Sequence, residues 1–541
     1  MSRADDLATL QQRWYHEGLY GQDTLSTAML RGAAQHPEAQ MVFHSDSHPG
    51  QASLGDMCTM SRRLASGLYR LGLRPGDVVA VQVPNWLEGA VTYQAAMHLG
   101  LTIVPIIHIY GAAEVSFILR QSGAKVLIVP DQWRSINYLD RIAALAELPQ
   151  LEQIIVITDQ PLTTGIAWSS LLAETEIQPY HGDPDQVCLL IYTSGTTAEP
   201  KGVQHTHNTL LAEIRSLDQF LYLGEPAVAL GAFPAGHIAG VLALLRMFVF
   251  GITTILLDQW NAVDAAQLID HHGVTTTAGA PIFLRTLIDA AALTGRNLGS
   301  LMHYMVGGAS VPPTLVAEAD AAGITVYRGY GSSEHPVVST GTPTDSLTKR
   351  ANTDGRLTTG NEIRLVDDHG SDAVAGHDGE IAVRGPEQFV GYRNSDLDND
   401  AFLPGGWFLT GDIGHMDRDG YLTITDRKKD IIIRGGENIA SKEVEDILAR
   451  HGAIAESAVI GMPDELYGER VCAFIVLHEG RTIGLADVVD HFIEQQVARQ
   501  KTPERVEIVL ELPRSMSGKV KKFELRERLR MAHGSGSEAT V

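Results

Sequence analysis

At 541 residues the chain is too long for one simple core, so at least two domains are expected. Lys plus Arg total 42 against 65 Asp plus Glu, and the net charge of −23 argues against nucleic acid as the main partner while leaving room for a local phosphate-binding patch. Three scattered cysteines, Cys58, Cys188 and Cys472, form no CxxC pair, which speaks against a disulfide framework or a structural zinc and fits a reducing cytoplasm.

In chain order, Met1-Ser2-Arg3-Ala4-Asp5-Asp6 lacks the apolar centre of a signal peptide. Val78 to Val83 reads as a strand, Glu88 to Leu99 as a helix and Lys125 to Val129 as another strand. Val187 to Tyr192 is a continuous apolar run, as expected of a strand buried on both faces. A polar loop follows, then a helix with Leu210, Ile214, Leu217 and Leu221 on one side. The longest apolar stretch, Ala239 to Leu257, is interrupted by Arg246 and broken at Gly251 and Thr253-Thr254. A buried helix running into a strand fits it better than a membrane span, which needs roughly 20 predominantly apolar residues. Asp412 to Asp430 is polar and turn-rich, and a smaller unit begins beyond it. That unit opens a helix at Ser441, with Val444, Ile447 and Leu448 on one face, and continues in a strand from Val471 to Leu477. The alternation predicts layered α/β architecture with a boundary near Lys429, no internal repeat, and a disordered tail from Gly534.

The segment after the buried strand carries the first chemistry: Thr193-Ser194-Gly195-Thr196-Thr197-Ala198-Glu199-Pro200-Lys201-Gly202. Backbone N–H groups, small hydroxyls and one lysine are what a triphosphate needs. It is not a Walker loop, because Lys201 lacks the flanking Gly and Ser or Thr. The run resembles the signature loop of the acyl-adenylate-forming superfamily, which contains acyl-CoA synthetases, luciferases and peptide-synthetase adenylation domains. Ala198 stands where that loop usually has Gly; if the position needs φ > 0, the exchange costs roughly 1 kcal/mol.

Further segments resemble the same superfamily in its order, from about Leu25 to Leu529. Tyr330-Gly331-Ser332-Ser333-Glu334 is similar to the adenine motif, which implies that Tyr330 stacks on the base and Glu334 holds Mg²⁺; Ser333 replaces the usual Thr and keeps its hydroxyl. Trp407-Phe408-Leu409-Thr410-Gly411-Asp412 is similar to the ribose motif, with two oxygens on Asp412 for two hydroxyls. Asp426-Arg427-Lys428-Lys429-Asp430 resembles the interdomain hinge, which implies a nucleotide-contacting Arg427 and a pivot at Lys429. Arg434-Gly435-Gly436-Glu437-Asn438 resembles the loop that enters the site for thioester formation, implying CoA contacts at Gly435, Gly436 and Glu437. Pro513 to Val520 resembles the last motif, with Lys519 as its catalytic lysine.

Phe233 to Gly240, with His237, and Met305 to Ala309, with Gly307, Gly308 and Ala309, match segments that line the acyl site. Amino-acid-activating relatives carry an Asp soon after the aromatic of the first segment; here Pro234 follows Phe233, which favours a plain carboxylic acid. The small residues 307–309 are expected to leave room for a bulky or long acyl group. Pro105-Ile106-Ile107-His108-Ile109-Tyr110-Gly111 resembles bacterial synthetases for fatty, alicyclic or steroid-side-chain acids.

The resemblance implies a large N-terminal domain of layered α/β sheets with a small β-barrel-like part, residues 1–428, and a small mobile α+β C-terminal domain, residues 429–533. ATP would contact Thr193, Ser194, Gly195, Thr196, Thr197, Lys201, Gly308, Ala309, Tyr330, Gly331, Ser333, Asp412, Ile424, Arg427 and Lys519. Magnesium would be held at Glu334 and Thr196, and Lys519, Glu334 and His237 would be catalytic. The implied activity is ATP-dependent formation of an acyl-adenylate and transfer of the acyl group to coenzyme A, by a cytoplasmic enzyme for which a homodimer is one conceivable assembly. Loading of a separate carrier protein, or a catalytically dead sensor of nucleotide, are the alternatives; Lys201, Glu334, Asp412 and Lys519 are retained and speak against the second.

Overall fold

The computed structural model describes residues 3–145, 147–193, 200–221, 227–374, 376–434, 437–464, 466–495, 497–515 and 518–534, with only the backbone of 218–221, 437 and 532–534; all that follows concerns these residues. Two large sheets form the frame. The first runs in the order Arg356–Leu357, Ser339–Thr340, Val326–Tyr330, His303–Gly307, Thr276–Gly279, Val228–Gly231, Thr253–Leu257, Gln40–His44, Gly50–Ser53. Its centre is parallel and its edges are antiparallel. The second runs Gly391–Tyr392, Lys201–Thr206, Val187–Thr193, Thr102–Pro105, Val78–Val81, Val126–Pro130, Gln153–Ile157, Ile166–Ala167. Val126–Pro130 is buried along its whole length, and Val187–Thr193 nearly so, as strands covered on both faces must be.

Helices fill the space between the sheets. Leu87–Leu99 has no polar face and is buried from Gly89 to Leu99; it touches Val78–Val81 and Thr102–Pro105 of one sheet and Gly50–Ser53 of the other. It stops at Gly100, whose φ of +71° disfavours any side chain, and the Tyr180 ring fills the place a Cβ would need. Ile238–Phe250 packs on Leu25–Gln35 so closely that a Cβ on Gly32 would lie 2.2 Å from the Phe248 carbonyl oxygen. Burying each large aliphatic side chain here contributes about 1.5–3 kcal/mol.

Ile238–Phe250 and Thr253–Leu257 bear out the helix-then-strand reading of the long apolar run. Arg246, which interrupts that run, pairs with buried Glu213 of helix His207–Leu221. Two segments differ from expectation. The polar loop after Val187–Thr193 does not run straight into a helix: Lys201–Thr206 is a strand that returns antiparallel, with Thr193 opposite Lys201. Asp412 to Asp430 is largely a hairpin, Trp407–Met416 against Leu422–Arg427, with a register shift at Ile413/Gly414. That hairpin belongs to a third, antiparallel sheet with Glu362–Val366, Gly379–Arg384 and Phe402–Leu403.

The chain leaves the third sheet through a turn at 428–430 and enters a fourth, made of Glu437–Ile439, Ile432–Arg434, Gly468–Leu477, Ile454–Asp464 and Arg505–Ile508. Helix Ser441–Leu448 buries Val444, Ile447 and Leu448 against this sheet, as its spacing requires. The turn is braced on both sides. Asp426 accepts the Ser441 hydroxyl at 3.0 Å, and Arg526 of helix Lys522–Gly534 meets Asp430 at 2.6 Å. Lys522 of the same helix reaches Ser441 Oγ and Glu445, each at 2.8 Å.

Candidate active site

In open parallel sheets, ligands bind beyond the carboxyl ends of the strands, where the strand order reverses. In the first sheet that reversal falls at Val228–Gly231: the chain goes next to Thr253–Leu257 on one side and then to Thr276–Gly279 on the other. Phe233 to His237 lie beyond the end of this strand. His303–Gly307 and Val326–Tyr330 end on the same side and deliver Gly307, Gly308 and Tyr330.

Several of these positions tolerate only glycine. A Cβ on Gly331 would sit 1.9 Å from the Pro336 carbonyl oxygen, so the turn that presents Glu334 cannot form around a side chain. Gly308 has φ +76° and faces open space. A Cβ on Gly307 would meet the Gly329 carbonyl oxygen at 2.5 Å, so two strands approach closely there.

Tyr330 and Asp412 come from different sheets and meet. The Tyr330 hydroxyl donates to Asp412 Oδ2 at 2.7 Å, and Arg427 Nε lies 2.9 Å from Asp412 Oδ1. Asp412 is only 4% exposed, and each oxygen keeps a second acceptor site for a ligand hydroxyl. Ile424, on the same strand as Arg427, donates its N–H to Asp354 at 2.8 Å, and Asp354 is ion-paired with buried Arg328. Ser333 offers its carbonyl to His205 Nε2 at 2.7 Å, which fixes the motif from below.

Glu334 is half-buried. Its Oε1 accepts the Tyr392 hydroxyl at 2.8 Å, and its main-chain oxygen accepts the Phe389 N–H at 2.8 Å. Lys201 Nζ lies 5.2 Å from the centre of the Tyr392 ring. A hard cation would find oxygen ligands at Glu334. Magnesium keeps few protein ligands and takes the rest from phosphate and water, so one carboxylate such as Glu334 is a suitable anchor.

Lys519 completes the cleft. The residue is exposed, within electrostatic reach of Arg427, Asp412, Lys429 and Glu334. The Arg427 guanidinium, then loss of surrounding water, lowers its ammonium to about 8; Lys429 adds repulsion, and Asp412 and Glu334 pull the other way. His237 caps helix Ile238–Phe250. Burial, then the charge of Lys519, pushes its imidazole down to about 4, so it is neutral near pH 7. Its Nε2 is enclosed and has no hydrogen-bond partner among the described residues. Lys429 sits exposed in the turn at 428–430, its ammonium held down by burial of its surroundings and by Arg427.

Thr193 ends its strand opposite Lys201. Ser194, Gly195, Thr196, Thr197, Ala198, Gly435 and Gly436, and the side chain of Glu437, lie outside the described residues. Residues 201, 237, 330, 334, 412, 427, 429 and 519, far apart in sequence, are thus linked by contact or electrostatic reach. Tyr392 was not foreseen. It belongs to a two-residue strand, and its place is set by antiparallel pairing with Val203, which no local periodicity reveals.

The family profile described as "AMP-binding enzyme" matches residues 30–393, and "AMP-binding enzyme C-terminal domain" matches 443–519. The chain is 34% identical over 523 residues to the medium-chain fatty-acid–CoA ligase of Escherichia coli (strain K12), covering 94% of this chain and 91% of that protein. Among solved structures, ATP-bound MatB from Rhodopseudomonas palustris superposes with a TM-score of 0.84 at 26% identity, covering 94% of this chain and 99% of the other. The o-succinylbenzoate CoA synthetase of Bacillus subtilis, bound to its acyl-adenylate intermediate, gives 0.79 at 28% identity, covering 93% and 97%.

Proposed function

This chain belongs to the AMP-binding enzyme family, and on that footing we propose that it is an AMP-forming acid–CoA ligase acting on a fatty, alicyclic or steroid-side-chain acid. The observation that carries the reading is the meeting of Tyr330 and Arg427 on buried Asp412, with Lys519 within electrostatic reach of Arg427, Asp412 and Glu334. The absence of an acidic residue after Phe233 and the likeness to a fatty-acid–CoA ligase support the acid class.

A carboxylate is a poor acyl donor, because oxide is a bad leaving group. Its oxygen attacks the α-phosphorus of ATP, the bond to pyrophosphate breaks, and an acyl-AMP anhydride forms. Two anions must approach, so cations at Lys519, Arg427 and Lys201 offset their charge; such preorganised charge is usually the largest catalytic term. Glu334 would hold magnesium, which when bound would supply further positive charge to offset the phosphates. Tyr330 and Asp412 orient the nucleoside. Neutral His237 offers Nε2 as a donor to the acid, next to the positive end of helix Ile238–Phe250. The CoA thiol then attacks the acyl carbonyl, and AMP departs.

The two half-reactions want different surroundings. In this reading residues 1–428 bind ATP and acid, and residues 429–533 pivot at Lys429 to withdraw Lys519 and admit pantetheine past 435–437. A pyrophosphate-release screen across aliphatic, alicyclic, aromatic and steroid acids, each with and without CoA, tests both activity and acid class. Release with fatty or alicyclic acids and CoA-dependent turnover is expected. Turnover confined to aromatic acids would overturn the acid class, and adenylation without thioester would overturn the acceptor.

A further inference from the structure

We propose that Tyr392 is a positioning residue that ties the phosphate-loop lysine to the magnesium carboxylate. The inference rests on the reading of Glu334 as the metal ligand. Tyr392 is 4% exposed and faces both groups at once. Its hydroxyl donates to Glu334 Oε1 at 2.8 Å, a charge-assisted bond that fixes the carboxylate plane and leaves Oε2 for a cation. Its ring lies 5.2 Å from Lys201 Nζ, within the reach of a cation–π attraction.

The side chain is itself held from several directions. Tyr392 pairs with Val203, two residues beyond Lys201, so the same two strands that set its place set that of the lysine. Its N–H donates to Asp398 Oδ1 at 3.0 Å, and Asp398 is gripped by Arg3 at 2.6 Å. The Phe389 ring packs edge-on at 4.9 Å, and the Phe389 N–H donates to the main-chain oxygen of Glu334. One short segment, residues 389–392, therefore positions both the backbone and the carboxylate of Glu334. A tyrosine that merely satisfied its hydroxyl would need only one of these contacts. The two arms that must close on one triphosphate, Lys201 and Glu334, share a single ring between them. Small misplacements of such groups are costly, because charge stabilisation depends on fixed geometry.

The test separates metal from nucleotide without turnover. ATP affinity is measured by calorimetry, in the absence of acid, with Mg²⁺ and with EDTA, on the full chain and on three variants. Tyr392→Phe keeps the ring and removes the donor. The proposal expects it to retain the EDTA affinity and the melting temperature while losing about 5- to 20-fold of the magnesium-dependent gain. Tyr392→Leu removes the ring as well and is expected to weaken ATP binding with EDTA too, through Lys201. Full magnesium-dependent gain in Tyr392→Phe, or equal losses with and without metal, overturns the proposal. Glu334→Gln serves as the control for the underlying reading. If it keeps the gain, the metal assignment itself fails; if it loses the gain while Tyr392→Phe keeps it, only the role of Tyr392 fails.

Discussion

Lys519 is held near 8 by the Arg427 guanidinium and by loss of water, so a modest rise in pH removes its charge. In the proposed mechanism the cationic form is the one that stabilises adenylation. The kcat/KM of acid-dependent pyrophosphate exchange should therefore decline as pH rises through about 8, and a profile flat to pH 10 would remove Lys519 from that step. Lys519→Ala should cut adenylation by about 10²–10³, the usual loss for one such contact. Supplied with preformed acyl-adenylate and CoA, the same variant should still make thioester; equal losses in both half-reactions would contradict a rotating lysine. Asp412→Ala removes the acceptor of Tyr330 and Arg427 together. It should raise the ATP KM by roughly tenfold or more, given about 1.5–3 kcal/mol for a hydrogen bond to a charged group.

Between elements, the pair Glu213–Arg246 joins helices His207–Leu221 and Ile238–Phe250 in the layer beside the site. Arg246→Met leaves Glu213 buried and alone, which typically costs about 3–5 kcal/mol. Arg246→Met with Glu213→Leu should recover most of the lost melting temperature; a double variant no better than the single would argue for strain instead. This pair also marks what could be read in advance. A buried arginine is visible in sequence only as an interruption of an apolar run, and its partner lies 33 positions away. The parallel strands were legible because burial on both faces leaves continuous apolar runs. Lys201–Thr206 and the hairpin ending at Arg427 were not, since residues that meet ligands or other sheets interrupt the alternation on which a strand is recognised. The segments at 193–202, 330–334 and 407–412 stood out in the sequence for the opposite reason: they are short runs of particular residue types, which is what phosphate, ribose and metal chemistry would demand. Tyr392 acts through a contact made only by folding.

At the scale of the whole fold, five histidines among the described residues, His98, His108, His205, His207 and His335, are fully buried. Burial holds their imidazoles down to about 3 or 4, from 6.5. The unfolded chain takes up these protons first. The stability they contribute is therefore complete above pH 6.5 and is lost as pH falls toward 4, at about 1.4 kcal/mol per pH unit for each histidine. Melting temperature should drop steeply between pH 6.5 and 5; a flat profile there would contradict neutral burial. At the turn joining the third and fourth sheets, Lys429→Pro restricts φ to about −65° and should let adenylate accumulate while thioester formation stalls. Following each half-reaction separately would show it, and unimpaired thioester formation would place the pivot elsewhere.

The distance along the chain between the nucleotide site and Lys519 has a consequence during synthesis. Tyr330, Glu334 and Asp412 leave the ribosome more than a hundred residues ahead of the lysine. At about 5–20 residues per second, the interval is on the order of 5–20 s. On the proposed mechanism, the nascent chain in that time has the residues that grip ATP but lacks the cation that activates the acid. On that mechanism a half-made enzyme would not release reactive acyl-adenylate before the partner needed to discharge it had been translated.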